Sequence, residues 1–375
     1  MSISKIPERT KLLLWGKAGG RCEYDGCNEP LWLDSVTKFE FNTAYIAHIV
    51  ADKPSGPRGD PTLSFKLRAE LSNLMLLCDK HHRLIDHEQV KEHPVDRLCH
   101  MKEQHEQRVQ FLASLTENRQ SHLLLYGANI GSHSSPVSWT RTVSAVLPDY
   151  YPAENHAIEL SMKNSSFADN DPEYWKIERE NLRKLFSHKV KSRLTAGDIN
   201  HLSVFALAPQ PMLMELGHLL SDIPAAQVYQ LHREPPNWKW QNDTEPIEFV
   251  LQKSTRLKHK AVALILALSA TITTDRVTDI LGKDISIWTL TISNPNNDFL
   301  KTREHLTAFR RSFRKLLDVI KAEHGQNALL HVFPAVPVSV AVEIGRIRMP
   351  KADLALRIYD QNRGTGGFTF AFDIV

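Results

Sequence analysis

The same thirteen-residue pattern occurs twice in the second half of the chain, and it constrains the fold more than any other feature. The segments FALAPQPMLMELG (residues 205–217) and FPAVPVSVAVEIG (residues 333–345) both fit F-x3-P-x5-E-L/I-G, at an offset of 128 residues. An apolar, strand-like run precedes each copy and another follows it. A pattern that recurs with its flanking strands predicts a duplicated structural unit.

The flanking segments extend this repeat. The strand-like residues 157–164 align with residues 285–292, and long amphipathic helices follow each, at about 172–190 and 298–324. Each half, about residues 157–232 and 285–359, is thus predicted to run strand, helix, strand, helix, strand. Such alternation is typical of parallel βαβ units and of Rossmann-like folds. A further strand (KAVALILALSA) and helix (DRVTDILG) lie between the halves.

The repeat also suggests where a ligand would bind, because open α/β sheets bind ligands beyond the carboxyl ends of their strands. Pro209 and Pro337 could equally be first-turn prolines that start helices. No G-x-G-x-x-G or G-x4-G-K-S/T phosphate loop occurs, and RGTGGF (residues 363–368) is interpreted as a turn before the last strand. These observations favour a ligand sensor over a nicotinamide enzyme or an ATPase. The candidate ligand contacts are Lys163, Pro209, Gln210, Asn294, Ser339 and Arg346.

All four cysteines lie in the first hundred residues, which separates the chain into two parts. Cys22-x4-Cys27 sits in GGRCEYDGCNEPL, and Cys78-x2-His81 follows about fifty residues later. Two pairs of N/S ligands on separate turns predict a tetrahedral structural zinc site; four inert buried side chains are the alternative. Cys99, in a predicted helix over residues 95–117, is expected to be a packing residue. We place the domain boundary near residue 120, giving domains 1–120 and 121–375.

Three further residues in the first domain carry a second pattern. His48 lies in the strand-like run YIAHIV, Asn73 opens NLMLLC, and His82 follows Asn73 by nine residues. The order His, Asn, His, interleaved with zinc ligands, resembles the HNH nucleases over roughly residues 10–90. The most specific part of the resemblance is N-L-x2-L-C-x2-C/H-H, matched by Asn73, Leu74, Leu77, Cys78, His81 and His82.

The HNH resemblance implies an α+β, zinc-stabilised ββα-metal domain that hydrolyses phosphodiesters. His48 would be the general base, since a neutral imidazole can accept a water proton near pH 7. His82 would bind a catalytic Mg²⁺ or similar ion, and Asn73 would constrain the loop and help orient His48. Many family members have an acidic metal ligand before the base, where this chain has Ala47. The sequence leaves open what replaces that ligand: Asp52, Asp60, Asp86 or His87, or phosphate and water.

Several other side chains near the motif have two interpretations. Five basic residues could contact DNA phosphates or form a solvated surface: Lys53, Arg58, Lys66, Arg68 and Arg83. Trp15 and Trp32 are expected to be core residues rather than base-stacking platforms. The overall charge is nearly balanced, with 46 Lys and Arg against 43 Asp and Glu. This balance argues against a tail-driven nucleic-acid binder but allows a local basic groove.

An HNH domain fused to a duplicated α/β sensor resembles the HNH–SAVED effectors of bacterial CBASS antiphage systems. The segments SVFALAPQPMLMELG and LLHVFPAVPVSVAVEIGRIRMPKADLALRIYD carry the SAVED resemblance. It implies a SAVED domain built from two CARF-like Rossmann-type halves. It also implies a cyclic di- or trinucleotide activator made by a partner nucleotidyltransferase. Ligand binding would convert a resting dimer into a higher oligomer such as a tetramer, which would then cut double-stranded DNA with little sequence preference.

Two alternatives belong to other functional classes. One is a ligand-responsive DNA-binding regulator whose HNH module is an inactive zinc finger; the other is a modification-dependent HNH restriction enzyme. Retention of His48, Asn73 and His82 argues against the regulator, and the duplication argues against the restriction enzyme. No apolar run reaches the roughly 18 residues of a membrane span, and the N-terminus does not resemble a signal peptide. We therefore expect a bacterial cytoplasmic protein.

Overall fold

The structure is a computed structural model that divides into two compact units, Met1–Thr116 and Glu117–Val375. The sequence had placed a boundary near residue 120. None of the described helices combines the length and apolar character that a bilayer span requires. The described residues are 5–116, 119–131, 137–161, 167–169, 171, 173–222, 224–242, 245–254, 261–362 and 366–375. The candidate ligand contact Lys163 lies outside these residues, as do residues 363–365 of the predicted RGTGGF turn.

The first unit is built around a two-stranded antiparallel hairpin. Its elements are α1 (Glu8–Ala18), β1 (Tyr45–His48), α2 (Leu63–Leu67), β2 (Leu74–Leu77), α3 (Asp79–Arg83) and α4 (Val95–Ala113). Every residue of β2 is buried, because the apolar run LMLL packs into the core with Leu14 and Leu98. The hairpin register places His48 opposite Leu74, directly beside Asn73 in the chain. Helix α3 follows β2 and packs on β1.

The second unit contains two sheets with helices between and around them. Its strands are β3 (Gln120–Gly127), β4 (Tyr151–Pro152), β5 (Ile158–Glu159), β6 (Leu202–Leu207), β7 (Ala226–Val228), β8 (Val250–Gln252), β9 (Ala261–Ala267), β10 (Ile285–Thr291), β11 (Leu329–Ala335), β12 (Ala355–Asn362) and β13 (Gly367–Ile374). Its helices are α5 (Trp139–Val146), α6 (Tyr174–Phe186), α7 (Ser192–Ala196), α8 (Gln210–Leu220), α9 (Thr274–Leu281), α10 (Arg303–His324) and α11 (Val338–Ile347). A π-helical turn, Ser187–Lys191, joins α6 to α7.

The two sheets share one strand order, which shows the duplication that the repeat predicted. In the first sheet, parallel strands run β5–β3–β6–β7, and in the second they run β10–β9–β11–β12. Strand β9, which the sequence placed between the halves, is thus the counterpart of β3 and a central strand of the second sheet. Antiparallel β8 and β13 lie at the edges of that sheet.

Two predicted elements have different bounds in the structure. Of residues 157–164, the strand covers Ile158–Glu159 in the described part of the chain. The helix predicted to start near residue 298 starts at Arg303 instead. The Thr302 side chain accepts a hydrogen bond from the His305 amide and caps that helix. Thr at this position is a strong helix-start signal, because it pairs an amide that the first helical turn leaves free.

The phenylalanine and proline of the repeated motif have the same surroundings in both halves. Phe205 and Phe333 are fully buried, and each stacks on a tyrosine of the neighbouring strand segment, Tyr229 and Tyr359, at 4.5 Å between ring centroids. Each motif proline directly precedes the helix that follows its strand, α8 or α11. These contacts fix where each strand ends and each helix begins.

The motif glutamates are buried and paired with arginines. Glu215 on α8 pairs with Arg179 and Arg183 of α6. Glu343 on α11 pairs with Arg310 of α10 and with Arg346 on its own helix. A buried carboxylate is costly unless it is paired, so each long helix is held against its motif helix by these contacts.

The motif glycines let α8 and α11 cross in direct backbone contact. A Cβ atom on Gly217 would lie 1.9 Å from the Val342 carbonyl oxygen, and one on Gly345 would lie 2.0 Å from the Met214 carbonyl oxygen. The contacts correspond residue for residue at the repeat offset, so the crossing relates the two halves by approximate two-fold symmetry. The buried core is continuous across both halves around this crossing.

We expect Gly217→Ala to destabilise the second unit by about 3 kcal/mol, because the added methyl overlaps backbone that cannot move independently. Chemical denaturation followed by fluorescence would measure the loss. Gly16→Ala is the matched control, because Gly16 lies within α1 with open space around it. That substitution should stabilise its unit by about 0.5–1 kcal/mol. Equal effects of the two substitutions would contradict the role given to the crossing.

Candidate functional site

The four predicted zinc ligands come together in the first unit. The ligand atoms of Cys22, Cys27, Cys78 and His81 all lie within 4.8 Å of one another. The first pair sits on a tight turn in which the Cys27 amide donates to the Tyr24 carbonyl and Gly26 adopts φ 76°. The second pair brackets the start of α3, where Cys78 is the residue before the helix. This cluster could bind a metal ion such as zinc.

The electrostatics of the cluster suit a cation. Burial raises the pKa of the Cys22 and Cys78 thiols and lowers the pKa of His81. Without an ion the thiols are therefore neutral, whereas a divalent cation stabilises the thiolate form. Three sulfurs and one imidazole nitrogen, with His81 Nδ1 3.2 Å from Cys78 Sγ, match the donor set of a tetrahedral structural zinc site.

Two residues that the sequence did not single out hold His81 in place. The Tyr24 ring stacks on His81 at 4.1 Å between centroids, and the Tyr24 hydroxyl lies 2.9 Å from His93 Nε2. His93 Nδ1 donates to the Gln89 carbonyl, so in the neutral ring Nε2 accepts from the Tyr24 hydroxyl. Such outer contacts orient a metal-binding imidazole. The chain offered no spacing signal for Tyr24 and His93, because they meet only in the folded unit.

His48 ends β1 with its ring oriented by the backbone. Its Nε2 lies 2.9 Å from the Arg68 carbonyl oxygen. A carbonyl can only accept, so Nε2 carries a hydrogen, and in the neutral form of the ring Nδ1 is the nitrogen with the lone pair. The side chain is 8% exposed. An imidazole with one nitrogen fixed and the other free to accept a proton is the arrangement that a general base needs.

Asn73 holds the loop that follows His48. Its Oδ1 accepts from the Val50 amide, and its Nδ2 donates to the carbonyls of Val50 and Leu67. The Asn73 carbonyl also accepts from the Ile49 amide. These bonds attach the two residues after His48 to the start of β2, as the loop-constraining role of Asn73 requires.

His82 lies on α3 and points away from the cysteine cluster. Its ring stacks on Tyr45 of β1, and its Nε2 lies 3.4 Å from Asp86 Oδ2. Burial lowers the pKa of His82, while the Asp86 charge opposes that shift. A neutral imidazole can offer a lone pair to a metal ion. The adjacent histidines thus have different surroundings, with His81 in the cluster and His82 beside the strand that carries His48.

Arg58 links the two predicted catalytic histidines. Its guanidinium donates to the carbonyls of His48, Ile49 and Ile85 and to Asp86 Oδ1. The interpretation of Arg58 as a phosphate contact or a solvated charge is therefore wrong, because its side chain is buried and its donors are used. The other four basic residues of that set, Lys53, Lys66, Arg68 and Arg83, are exposed.

Two packing predictions for the first unit are wrong. Cys99 is exposed on α4, on the polar side of an amphipathic helix, and not a packing residue. Trp32 is also exposed and lies under the Arg21 guanidinium. Trp15 packs against the core as expected. Side-chain type alone favoured burial for these residues, and the direction of their helix or turn decided otherwise.

The predicted ligand contacts of the second unit differ in their surroundings. Ser339 donates to Gln230 Oε1, and Arg346 donates to Glu343 and to two backbone carbonyls, so both are buried and paired inside the protein. Gln210 starts α8 and accepts from the Val336 amide, which joins the carboxyl ends of the two halves. Pro209 precedes α8, and Asn294 is exposed after β10. A ligand role for these residues stays a prediction.

His232 and Asp360 are two further candidate ligand contacts in the second unit, and the sequence did not single them out. They occupy equivalent repeat positions, 128 residues apart, beyond β7 and near the end of β12. Neither ring nitrogen of His232 has a hydrogen-bond partner among the described residues, although the side chain is 2% exposed. Burial and the nearby Asp169 charge raise the pKa of Asp360 to about 7. The repeat offset was the signal that could have found this pair.

We expect Cys22→Ser to lower the thermal stability of the first unit and to reduce its metal content, because a structural ion contributes directly to folding. Calorimetry and elemental analysis would measure both effects. Cys99→Ser is the matched control, since Cys99 lies outside the cluster and is exposed. Unchanged metal content in the Cys22 variant would contradict the assignment.

We expect His232→Phe to stabilise the second unit, because an apolar ring of similar shape removes two unpaired buried polar atoms. The gain should be about 1 kcal/mol, or roughly 2–4 °C in melting temperature. His324→Phe is the control: His324 accepts from Trp288 Nε1, so its loss leaves a buried donor unpaired and should destabilise. A lower melting temperature for the His232 variant would mean that His232 has a structural partner.

Comparison with known proteins identifies the second unit. Residues 182–374 match the SAVED family, the SMODS-associated and fused to various effectors sensor domain. No curated protein matches the chain. Similar solved structures include an Acinetobacter baumannii Cap4 SAVED/CARF-domain containing receptor with the cyclic trinucleotide 2′3′3′-cAAA, which is 16% identical over 74% of this chain with a TM-score of 0.44.

A Moraxella osloensis Cap4 SAVED/CARF-domain containing receptor is 12% identical over 76% of this chain, with a TM-score of 0.41. The chain covers 55% of the Acinetobacter receptor and 61% of the Moraxella receptor. The SAVED match spans just over half of the 375 residues; it contains the whole second sheet and strands β6 and β7 of the first, whereas β3, β4 and β5 precede it. The chain therefore belongs to the SAVED sensor-domain family.

Proposed function

We propose that the protein is an antiphage effector of the CBASS type: a metal-dependent DNA endonuclease that a cyclic oligonucleotide switches on. The observation that carries the proposal is the orientation of His48: the Arg68 carbonyl holds Nε2, which leaves Nδ1 of the neutral ring to accept a proton. This side chain belongs to a chain that also carries a SAVED sensor domain. A zinc finger without chemistry would need neither the oriented imidazole nor the Asn73 bonds that hold its loop.

The proposed reaction is hydrolysis of a phosphodiester. His48 Nδ1 accepts a proton from a water whose oxygen attacks phosphorus, one P–O ester bond breaks, and the leaving oxygen takes a proton from solvent. A divalent ion held by His82 would neutralise charge on the phosphate and the leaving oxygen. The exposed cations Lys53, Lys66, Arg68 and Arg83 could hold the duplex by its phosphates, which provides little sequence preference.

The sensor half of the proposal rests on the duplicated SAVED fold. Solved Cap4 SAVED/CARF receptors carry cyclic trinucleotides, and we propose a cyclic di- or trinucleotide for this chain as well. A non-specific nuclease must be inactive at rest, so the ligand must bind one state of an equilibrium better than the other. We propose that this equilibrium is self-assembly, with the ligand favouring the higher oligomer.

The test is plasmid cleavage by the purified protein with Mg²⁺, with and without a panel of cyclic dinucleotides and trinucleotides. We expect no cutting without nucleotide and rapid loss of supercoiled DNA with one member of the panel. Cutting without any nucleotide would favour a restriction enzyme. Absence of cutting with every nucleotide would contradict the proposal.

His48→Ala should abolish cutting and leave nucleotide-driven assembly unchanged, because the imidazole acts on water and His48 belongs to the first unit. Light scattering with the activating nucleotide would measure assembly. Loss of the catalytic base should reduce the rate by roughly 10²–10⁴-fold. Loss of assembly together with cutting would make His48 a structural residue.

A further inference from the structure

In the first unit, the two carboxylate oxygens of Asp86 contact different side chains. Asp86 Oδ1 accepts from Arg58 Nη2 at 2.6 Å, while Oδ2 faces His82 Nε2 at 3.4 Å. The aspartate lies within a π-helical turn, Leu84–Glu88, directly after α3. Such turns inside helices often occur at functional sites.

The separation of the two facing atoms fits a shared ion. Ligand atoms about 2.1 Å from one Mg²⁺ and at right angles to each other lie about 3.0 Å apart. The distance of 3.4 Å between His82 Nε2 and Asp86 Oδ2 needs only a small adjustment to reach that geometry. Asp86 is partly exposed, so an ion and its waters can reach Oδ2.

Arg58 prevents Asp86 from turning away from this position. Four of its hydrogen bonds end on His48, Ile49, Ile85 and Asp86, and its backbone is held at φ 56°, which is unfavourable for a residue with a side chain. The same guanidinium thus fixes the strand end that carries His48 and the carboxylate beside His82. Rigid support of this kind is what a metal site requires of its surroundings.

Asp60, another candidate for the acidic metal ligand, forms hydrogen bonds with backbone amides instead. Its Oδ1 accepts from the amides of Thr62 and Leu63, and these bonds lower the pKa of Asp60 and hold the turn that leads into α2. His87 is exposed in the same turn as Asp86, but no described contact orients it toward His82. Of Asp60, Asp86 and His87, Asp86 is the residue whose carboxylate oxygen faces His82 Nε2.

We propose that Asp86, through Oδ2, is a ligand of the catalytic divalent ion together with His82, and so replaces the acidic ligand that Ala47 cannot supply. The inference rests on the proposed function. Arg58 is a positioning residue in this arrangement, since it acts through Asp86 and the His48 backbone.

The direct test is diffraction from crystals of the full chain soaked in Mn²⁺, whose anomalous signal locates the ion. We expect a peak about 2.0–2.3 Å from both His82 Nε2 and Asp86 Oδ2. A peak on His82 with Asp86 Oδ2 beyond about 3 Å, or no peak beside His82, would overturn the inference.

Calorimetric titration of Mn²⁺ into zinc-loaded protein provides the solution test. Asp86→Asn keeps an amide oxygen for Arg58 and should weaken binding at least tenfold, whereas the rival Asp60→Asn should bind like the parent protein. Weaker Mn²⁺ binding by the Asp60 variant, with unchanged binding by the Asp86 variant, would assign the ion to Asp60 and contradict the inference. If the Asp86 variant loses its zinc or its fold, the diffraction experiment decides alone. Neither test needs nucleotide or DNA, so failure here is distinguishable from failure of the proposed function.

Discussion

The crossing of α8 and α11 is the contact on which the sensor unit depends. Gly217 and Gly345 bring two helix backbones into contact, and any side chain at either position would overlap a carbonyl of the other helix. Each helix also carries a buried glutamate that pairs with arginine of the preceding long helix. Because the four helices and both sheets share one continuous core, the crossing fixes how the two halves meet.

The crossing also places the starts of α8 and α11 beside each other. Helices α8 and α11 follow β6 and β11, so their first turns lie together at the carboxyl ends of the strands, joined by the Gln210 and Ser339 hydrogen bonds. The two halves offer similar backbone but unlike side chains, as His232 and Asp360 show at equivalent positions. A duplicated scaffold of this kind can present a nearly symmetric site with chemically different ends.

In the first unit, one short helix directs two adjacent histidines to different surroundings. His81 and His82 are neighbours on α3, and about 100° of rotation between them directs one ring toward the cysteine cluster and the other toward Asp86. An ion in the cluster would hold the start of α3 and thereby fix the position of His82. Burial favours neutral Cys22, Cys78 and His81, and a metal ion reverses that preference for the thiols.

Much of the fold and of the candidate site could be predicted from the sequence. The repeat predicted two βαβ halves, the Cys/His spacings predicted the cluster, and the sequence around His48 and His82 predicted that His48 lies on a strand and His82 on the helix that follows β2. These predictions agree with the structure because they depend on local periodicity and on residue types, such as paired cysteine and histidine, that have few other uses. The exposed positions of Cys99 and Trp32 and the buried position of Arg58 were not predictable, because side-chain direction depends on packing against distant segments.

The sequence by itself determined the duplication and the four residues of the cluster, since both are encoded in spacing along the chain, and it predicted His48 as the candidate base. Only the tertiary structure decided that β9 is the counterpart of β3, that Arg58 is a buried link and that Asp86 faces His82. The Arg58 hydrogen bonds join residues 9 to 28 positions apart, and Asp86 faces a histidine four positions away, so burial and hydrogen-bond geometry in the folded unit decide these arrangements. The spacing of residues along the chain does not predict such geometry.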